Sequence, residues 1–368
     1  MNQERAKDYS RRKYTLAIIE IFYSLLLLWL FLALGLSKNL AQSVFGLALP
    51  SYLVLPAYLL LVYIFYWCLD FPLTFYRSFK LEHKFSLSKQ KFSDWLWDQW
   101  KTGIIAYIIS LILLGVFYYI LKNYPGNWWL LVSLLWIFFS LILSKLTPVV
   151  IIPLFFKYKK LEDEGLKQRI MQLAEKMRVG ILDVFEIDFS KKTIKANAAF
   201  VGIGSTKRVI LADTLKEKYS ADEIEIILAH EFAHYRLRHL LKLILVNSLA
   251  VIFSFYCIFY TSEYFLSVFG LASLSDIASL PLIMLYLVVI SLVLGPFENY
   301  ISRRLENNAD LLALEETKNP QAFISMMDKL GTQNLADRSP HPLIKFFFFD
   351  HPPVDERIRL AENYTTRL

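Results

Sequence analysis

The chain has 368 residues, of which 56% are hydrophobic, 16% aromatic and only 20% charged, with a formal net charge of +7. Apolar content this far above the globular norm, gathered into long uncharged runs, points to lipid as the solvent. No basic stripe interleaved with stacking aromatics accompanies the positive charge, so nucleic acid is not an expected partner. The two cysteines, Cys68 and Cys257, both sit in apolar runs and make neither a disulfide framework nor a thiolate metal site.

In chain order, Arg5, Lys7, Arg11, Arg12 and Lys13 precede a first apolar run at 15–36. That run is too long for a signal peptide and no small-residue cleavage site follows, so it is expected to be a first span. A second run covers 51–75, and the stretch between the two is too short for another crossing. Arg77, Lys80, Lys84, Lys89, Lys91 and Lys101 follow. Within that basic segment, residues 92–100 place Phe92, Trp95 and Leu96 at helical spacing, which reads as a short helix on the membrane surface or packed beside it. Runs at 103–121 and 128–144 flank the turn Tyr124-Pro125-Gly126-Asn127, with Trp128 and Trp129 expected in an interfacial aromatic belt. The last two runs are 240–261 and 279–297. Loops on the opposite side hold only Lys38, Lys122, Glu263 and Asp276. The positive-inside rule then places both termini, and the polar blocks 157–239 and 298–368, in the cytoplasm. Asn247, within the fifth run, is expected to face a solvated space rather than lipid.

The polar block 157–239 opens with a charged helix at 162–178. Strands follow at 184–188, 196–202 and 208–212, the last two flanking Gly204-Ser205-Thr206-Lys207 as a hairpin. A helix starts at Ala221, with Ser220 and Glu223 at capping-box spacing.

That helix carries His230-Glu231-Phe232-Ala233-His234. Imidazoles at i and i+4 project from one face, one turn apart, so both can reach a single tetrahedral ion. Glu231 then lies beside the water that such an ion activates and can take its proton. Chance produces this pattern in a chain of this length on the order of one time in a hundred. The apolar flanks Ile226, Ile227, Leu228, Phe232 and Ala233 bury the helix, where two histidines and a glutamate need a reason. His239, five residues past His234, falls off the ligand face and reads as an interfacial side chain. Two histidines leave zinc short of a ligand, and no third His follows after a Gly. Beyond the last apolar run, Glu306 lies one turn before Asp310 on a helical pattern, so a ligand and the group that orients its neighbour could share a face. Glu298, Glu315 and Glu316 are rivals by composition. The fold class expected is a mainly α integral membrane protein of about six transmembrane helices, with a cytoplasmic gluzincin-type zinc metalloprotease domain holding a small β-sheet. Its parts are 1–156 with four spans, 157–239 with the metal helix, 240–297 with two spans, and 298–368 completing the site.

The His-Glu-Phe-Ala-His helix, followed by two spans and then Ser302-Arg303-Arg304-Leu305-Glu306-Asn307-Asn308-Ala309-Asp310, resembles the membrane metallopeptidase family of type I CAAX prenyl proteases. The bacterial heat-shock membrane protease is a more distant relative. The resemblance runs from Phe71-Pro72-Leu73-Thr74 through Lys195-Ala196-Asn197-Ala198-Ala199-Phe200 to His351-Pro352-Pro353-Val354-Asp355-Glu356-Arg357. It implies one Zn2+ on His230, His234 and Glu306, with Glu231 as general base. It also implies that His351 stabilises the oxyanion with support from Arg357, that Asp310 orients a histidine ligand, and that Asn197, Ala198, Ala199 and Phe200 form an edge strand taking substrate by strand addition. The eukaryotic members have seven spans around an intramembrane chamber, where six are read here. The function expected is an endopeptidase acting on membrane-associated or lipid-anchored proteins at the inner face, the CAAX-type activity being what the resemblance adds. Quality control of membrane proteins is the second reading, and a zinc-stabilised scaffold without activity the third.

Overall fold

The computed structural model describes residues 2–201 and 207–366. Among the described residues, six helices are long and apolar enough to cross a membrane, the number read from the apolar runs. Helix α1 (Asn2–Ala33) includes the basic N-terminal segment, and the 11-residue α2 (Leu36–Gly46) is far too short to span. Helix α3 (Ser51–Phe75) continues through a π-helical turn, Tyr76–Lys80, into α4 (Leu81–Lys84). Residues 92–100 are not a separate surface helix. They are the first turns of α5 (Phe92–Asn123), with no break before the span. Trp95 fixes this base, buried against Phe71, Phe75 and Phe79 of the preceding span. Helix α6 (Trp128–Leu146) completes the first four spans. Trp128 belongs to no interfacial belt: it is buried against Phe117, Phe255 and Phe259.

The polar block holds a four-stranded sheet of β1 (Tyr158–Lys160), β2 (Asp183–Ile187), β3 (Ala198–Val201) and β4 (Arg208–Ala212). Its order is β1-β2-β4-β3, antiparallel, parallel, antiparallel. The expected pairing of the last two strands is present, and their connecting turn lies outside the described residues. Around the sheet pack α7 (Glu164–Lys176), α8 (Asp213–Lys218) and α9 (Ala221–Arg236). The remaining helices are α10 (His239–Phe269), α11 (Leu280–Thr317), α12 (Pro320–Gln333), α13 (Pro342–Phe348) and α14 (Val354–Thr365). One apolar core joins α7, α9, α12, α14 and the end of α11, with Phe232 and Phe323 fully buried in it.

The spans pack as a ring: α3 on α5, α5 on α6, α6 on α10, α10 on α11, and α11 on α1. The Tyr23 hydroxyl donates to the Leu69 carbonyl at 3.1 Å and so closes the ring between α1 and α3. Burial within the ring is concentrated at the end remote from α9, where Val44, Tyr58, Phe117, Val132, Ile258 and Leu282 form a plug. Elsewhere the walls are thin. On α10, Leu245 is 61% and Leu249 59% exposed on one face. Asn247, two residues from each and so about 200° around the helix, is exposed on the opposite face. Helix α10 is therefore exposed on both of these faces.

Candidate metal and catalytic site

Helix α9 is anchored by a full capping box, the Ser220 side chain accepting from the Glu223 amide while the Glu223 carboxylate accepts from the Ser220 amide. Glu223 is itself buried and also accepts from Ser325 and Lys329 of α12. Ala229 and Ala233 on α9, and Ala309 and Ala313 on α11, are fully buried at four-residue spacing. With methyl groups alone between them, the two helices approach closely, and the i, i+4 pair His230 and His234 meets the i, i+4 pair Glu306 and Asp310.

The donor atoms converge. His230 Nε2 lies 3.2 Å from one Glu306 oxygen and His234 Nε2 3.2 Å from the other. The two Nε2 atoms are 3.0 Å apart. A tetrahedron with bonds of about 2.1 Å has edges of roughly 3.4 Å, so the three donors nearly define one face of such a site. Glu306 Oε2 is buried and accepts no hydrogen bond among the described residues, a position that suits a cation and little else. These three residues form a metal-competent cluster, and the imidazole and carboxylate donors suit zinc.

Behind the donors, His230 Nδ1 donates to Asp310 Oδ1 at 2.8 Å. Asp310 is 0% exposed and accepts a fork from Arg357, Nε at 2.7 Å and Nη2 at 2.5 Å. Arg357 was expected to support His351. Its guanidinium instead clamps Asp310 on the far side of His230, and makes no hydrogen bond to His351 among the described residues. Burial alone would lower the pKa of His230, but its bond to the Asp310 carboxylate and the nearby Glu306 carboxylate outweigh burial and raise it to about 9 in the metal-free protein. Burial raises the pKa of Glu231, offset in part by the neighbouring histidines. Its carboxylate therefore holds a proton more readily than an exposed one, as a group that both takes and returns protons requires.

His351 arrives from the loop between α13 and α14, its Nε2 3.4 Å from Glu306 Oε2 and its Nδ1 2.9 Å from Asp350. The bond to Asp350 raises its pKa, which favours the cationic donor form. Arg303 fixes this loop by donating to the carbonyls of Lys345 and Phe349. Among the rivals for Glu306, Glu316 is paired with Arg236.

Strand β3 lies at the sheet edge against α9, with Phe200 edge-to-face on Phe232 at 5.4 Å. Asn197 precedes the strand, and its carbonyl accepts from the Ala212 amide at 3.0 Å. In an antiparallel ladder the bonded pairs alternate, so Ala199 faces β4 while the amides and carbonyls of Ala198 and Phe200 point to the free edge.

His239 departs from the sequence reading. It is 0% exposed, not interfacial, and its Nδ1 lies 3.0 Å from His234 Nδ1. The available signal was the clustering of three of the chain's six histidines within ten residues.

Residues 160–365 match the family described as Peptidase family M48, and residues 2–157 match CAAX prenyl protease N-terminal, five membrane helices. The chain is 31% identical over 361 residues to the uncharacterized metalloprotease YhfN of Bacillus subtilis (strain 168), covering 97% of this chain and 84% of that protein. It is 31% identical over 310 residues to CAAX prenyl protease 1 of Saccharomyces cerevisiae, covering 78% and 68% respectively. The crystal structure of S. mikatae Ste24p superimposes with a TM-score of 0.89 at 25% identity, over 98% of this chain and 89% of that one.

Proposed function

The chain belongs to peptidase family M48 and is a multi-pass integral membrane metallopeptidase, and from that premise we propose that it cleaves membrane-associated or lipid-anchored proteins at the cytoplasmic face, using one zinc ion held by His230, His234 and Glu306. When bound, zinc supplies Lewis acidity that polarises a carbonyl and lowers the pKa of a water toward about 7. Glu231 takes the proton from the attacking water as the carbon–oxygen bond forms, and returns it to the amide nitrogen as the carbon–nitrogen bond breaks. His351, its pKa raised by the bond to Asp350, donates to the oxygen on which negative charge develops. Arg357 and Asp310 keep His230 in the tautomer whose Nε2 lone pair is free. The free edge of β3 binds the substrate backbone through Ala198 and Phe200, so that the scissile bond lies along α9. The basic segments beside the spans support the cytoplasmic placement.

The observation that carries this reading is the placement of Glu231 on the helix that bears both histidines, beside three convergent donors. A metal site kept for structure alone has no use for it. The test is Glu231→Gln in purified protein with a quenched fluorescent peptide. The variant should keep about one zinc per chain and lose at least about a hundredfold in rate, the usual range for general-base catalysis being 10²–10⁴. Loss of zinc with rate retained per bound ion would overturn the assignment. Comparing a farnesylated peptide with its unmodified twin then reads out whether a lipid on the substrate matters.

A further inference from the structure

On a continuous helix, five residues separate two side chains by about 140°, which would carry His239 away from the face of His234. The helix is not continuous there. Helix α9 ends at Arg236, and Arg238 adopts a left-handed conformation, φ 54° and ψ 38°, before α10 starts at His239. This break turns His239 back beneath the metal site. Its ring meets that of His234 nearly edge-on, centroids 5.0 Å apart at 76°, with the two Nδ1 atoms 3.0 Å apart. One proton serves that contact. If it sits on His239, then neutral His234 carries its own proton on Nε2, aimed at Glu306 and into the space between the donors. If it sits on His234 Nδ1, the Nε2 lone pair is free for an ion.

We infer that His239 is a positioning residue for the metal: its Nδ1 accepts the Nδ1–H of His234 and so holds that ligand in the metal-binding tautomer. The inference rests on His234 being a ligand. It assigns His234 a neutral imidazole in the role that the Asp310 carboxylate has for His230. It also accounts for the other nitrogen of His239, Nε2, which is buried without a partner among the described residues. A histidine placed for packing has no reason to bury a polar atom unpaired. One whose Nδ1 is committed to His234 must leave Nε2 where the ring puts it.

The experiment is a chelator-competition measurement of zinc affinity on full-length protein in detergent, with the thermal stability of each metal-free form recorded alongside. Asparagine places its side-chain oxygen close to the position of Nδ1, whereas the oxygen of glutamine reaches toward that of Nε2. His239→Leu and His239→Gln should weaken zinc about 10–100-fold, the usual cost of losing a partner behind a ligand, while His239→Asn stays within about threefold of wild type. In wild type, nitrogen-15 spectra of labelled histidines should show the His234 proton on Nδ1 once zinc is added. Affinity in His239→Leu within about twofold of wild type, or His239→Asn no better than His239→Gln, overturns the inference. If His239→Leu does not fold, the comparison of asparagine with glutamine decides alone. His234→Ala separates the two levels: if zinc stays bound there, the ligand assignment fails, and if zinc is lost there but retained in His239→Leu, only the role of His239 fails.

Discussion

Protonation of His230 competes with the metal for the same imidazole. Its pKa is raised to about 9 in the metal-free protein, above the ordinary value of about 6.5. The proton therefore stabilises the metal-free fold fully below about pH 6.5, and that contribution is lost as pH climbs through 9. Metal needs the neutral ring, so apparent zinc affinity should rise by up to tenfold per pH unit below about 9 and then level off. Calorimetric titration in buffers of different ionisation heat should find roughly one proton released per ion at pH 7.5 and none near pH 10, and no release at the lower pH would contradict the His230 environment. Asp310→Ala should weaken zinc about 10–100-fold by freeing the His230 ring, and should cost about 3–5 kcal/mol of stability by leaving the buried Arg357 without its counter-ion. Asp310→Asn should recover part of the stability and little of the affinity. At this scale the sequence was readable where a placement follows helix periodicity, as for His230 and His234 on one face of α9, or for Glu306 one turn from Asp310. At His239 only the clustering of histidines hinted at a shared site, because nothing in Leu237-Arg238-His239 announces that an arginine will take a left-handed turn normally given to glycine.

At the scale of elements, the free edge of β3 offers a test that separates substrate binding from folding. The Ala198 amide points outward and the Ala199 amide bonds to β4. Ala198→Pro removes only an edge donor, which a strand at a sheet margin tolerates. It should raise KM for peptides with zinc content and melting temperature unchanged. Ala199→Pro breaks the ladder and should destabilise the domain. Equal effects of the two on KM and stability would argue against strand addition. The strands were visible in part. Short apolar runs mark β2, β3 and β4, but β1 is Tyr-Lys-Lys and carries no such pattern, being held by pairing with β2. The parallel pairing of β2 with β4 joins segments separated by β3 and has no local signature. Helix lengths were misjudged for a related reason: an apolar run ends where lipid ends, whereas backbone hydrogen bonding carries α5 and α11 straight through the boundary.

Across the whole molecule, donors from two polar blocks meet only if both blocks lie on one side of the bilayer. Cysteines placed at Ser275 should react with impermeant reagent from outside, and cysteines at Lys167 or Thr317 only after the inner face is opened. Labelling of Lys167→Cys and Thr317→Cys from opposite sides would be incompatible with the shared metal site. Asn247→Leu, on the face of α10 opposite Leu245 and Leu249, should alter peptide turnover while leaving zinc content intact if that face lines a solvated space. The 38 residues of α11 form one helix of about 57 Å, with Pro296 inside it, that begins at the plug, crosses as the sixth span and ends beyond Glu306 and Asp310. His230 and His234, by contrast, reach their span through the turn at Arg238. One ligand is thus joined to its transmembrane helix by continuous helix that carries a single proline, Pro296, and the other two reach theirs through a non-helical turn. Glu306 lies about 27 Å along the helix from Val288, near mid-span, so a 5° change in tilt would swing it by roughly 2 Å unless α11 bends at Pro296 or α9 follows. Hydrophobic mismatch becomes an input to the chemistry: turnover in bilayers of increasing acyl-chain length should pass through a maximum, and zinc should dissociate faster on either side of it. The thickness of the membrane would then act on this protease as an effector with no binding site of its own.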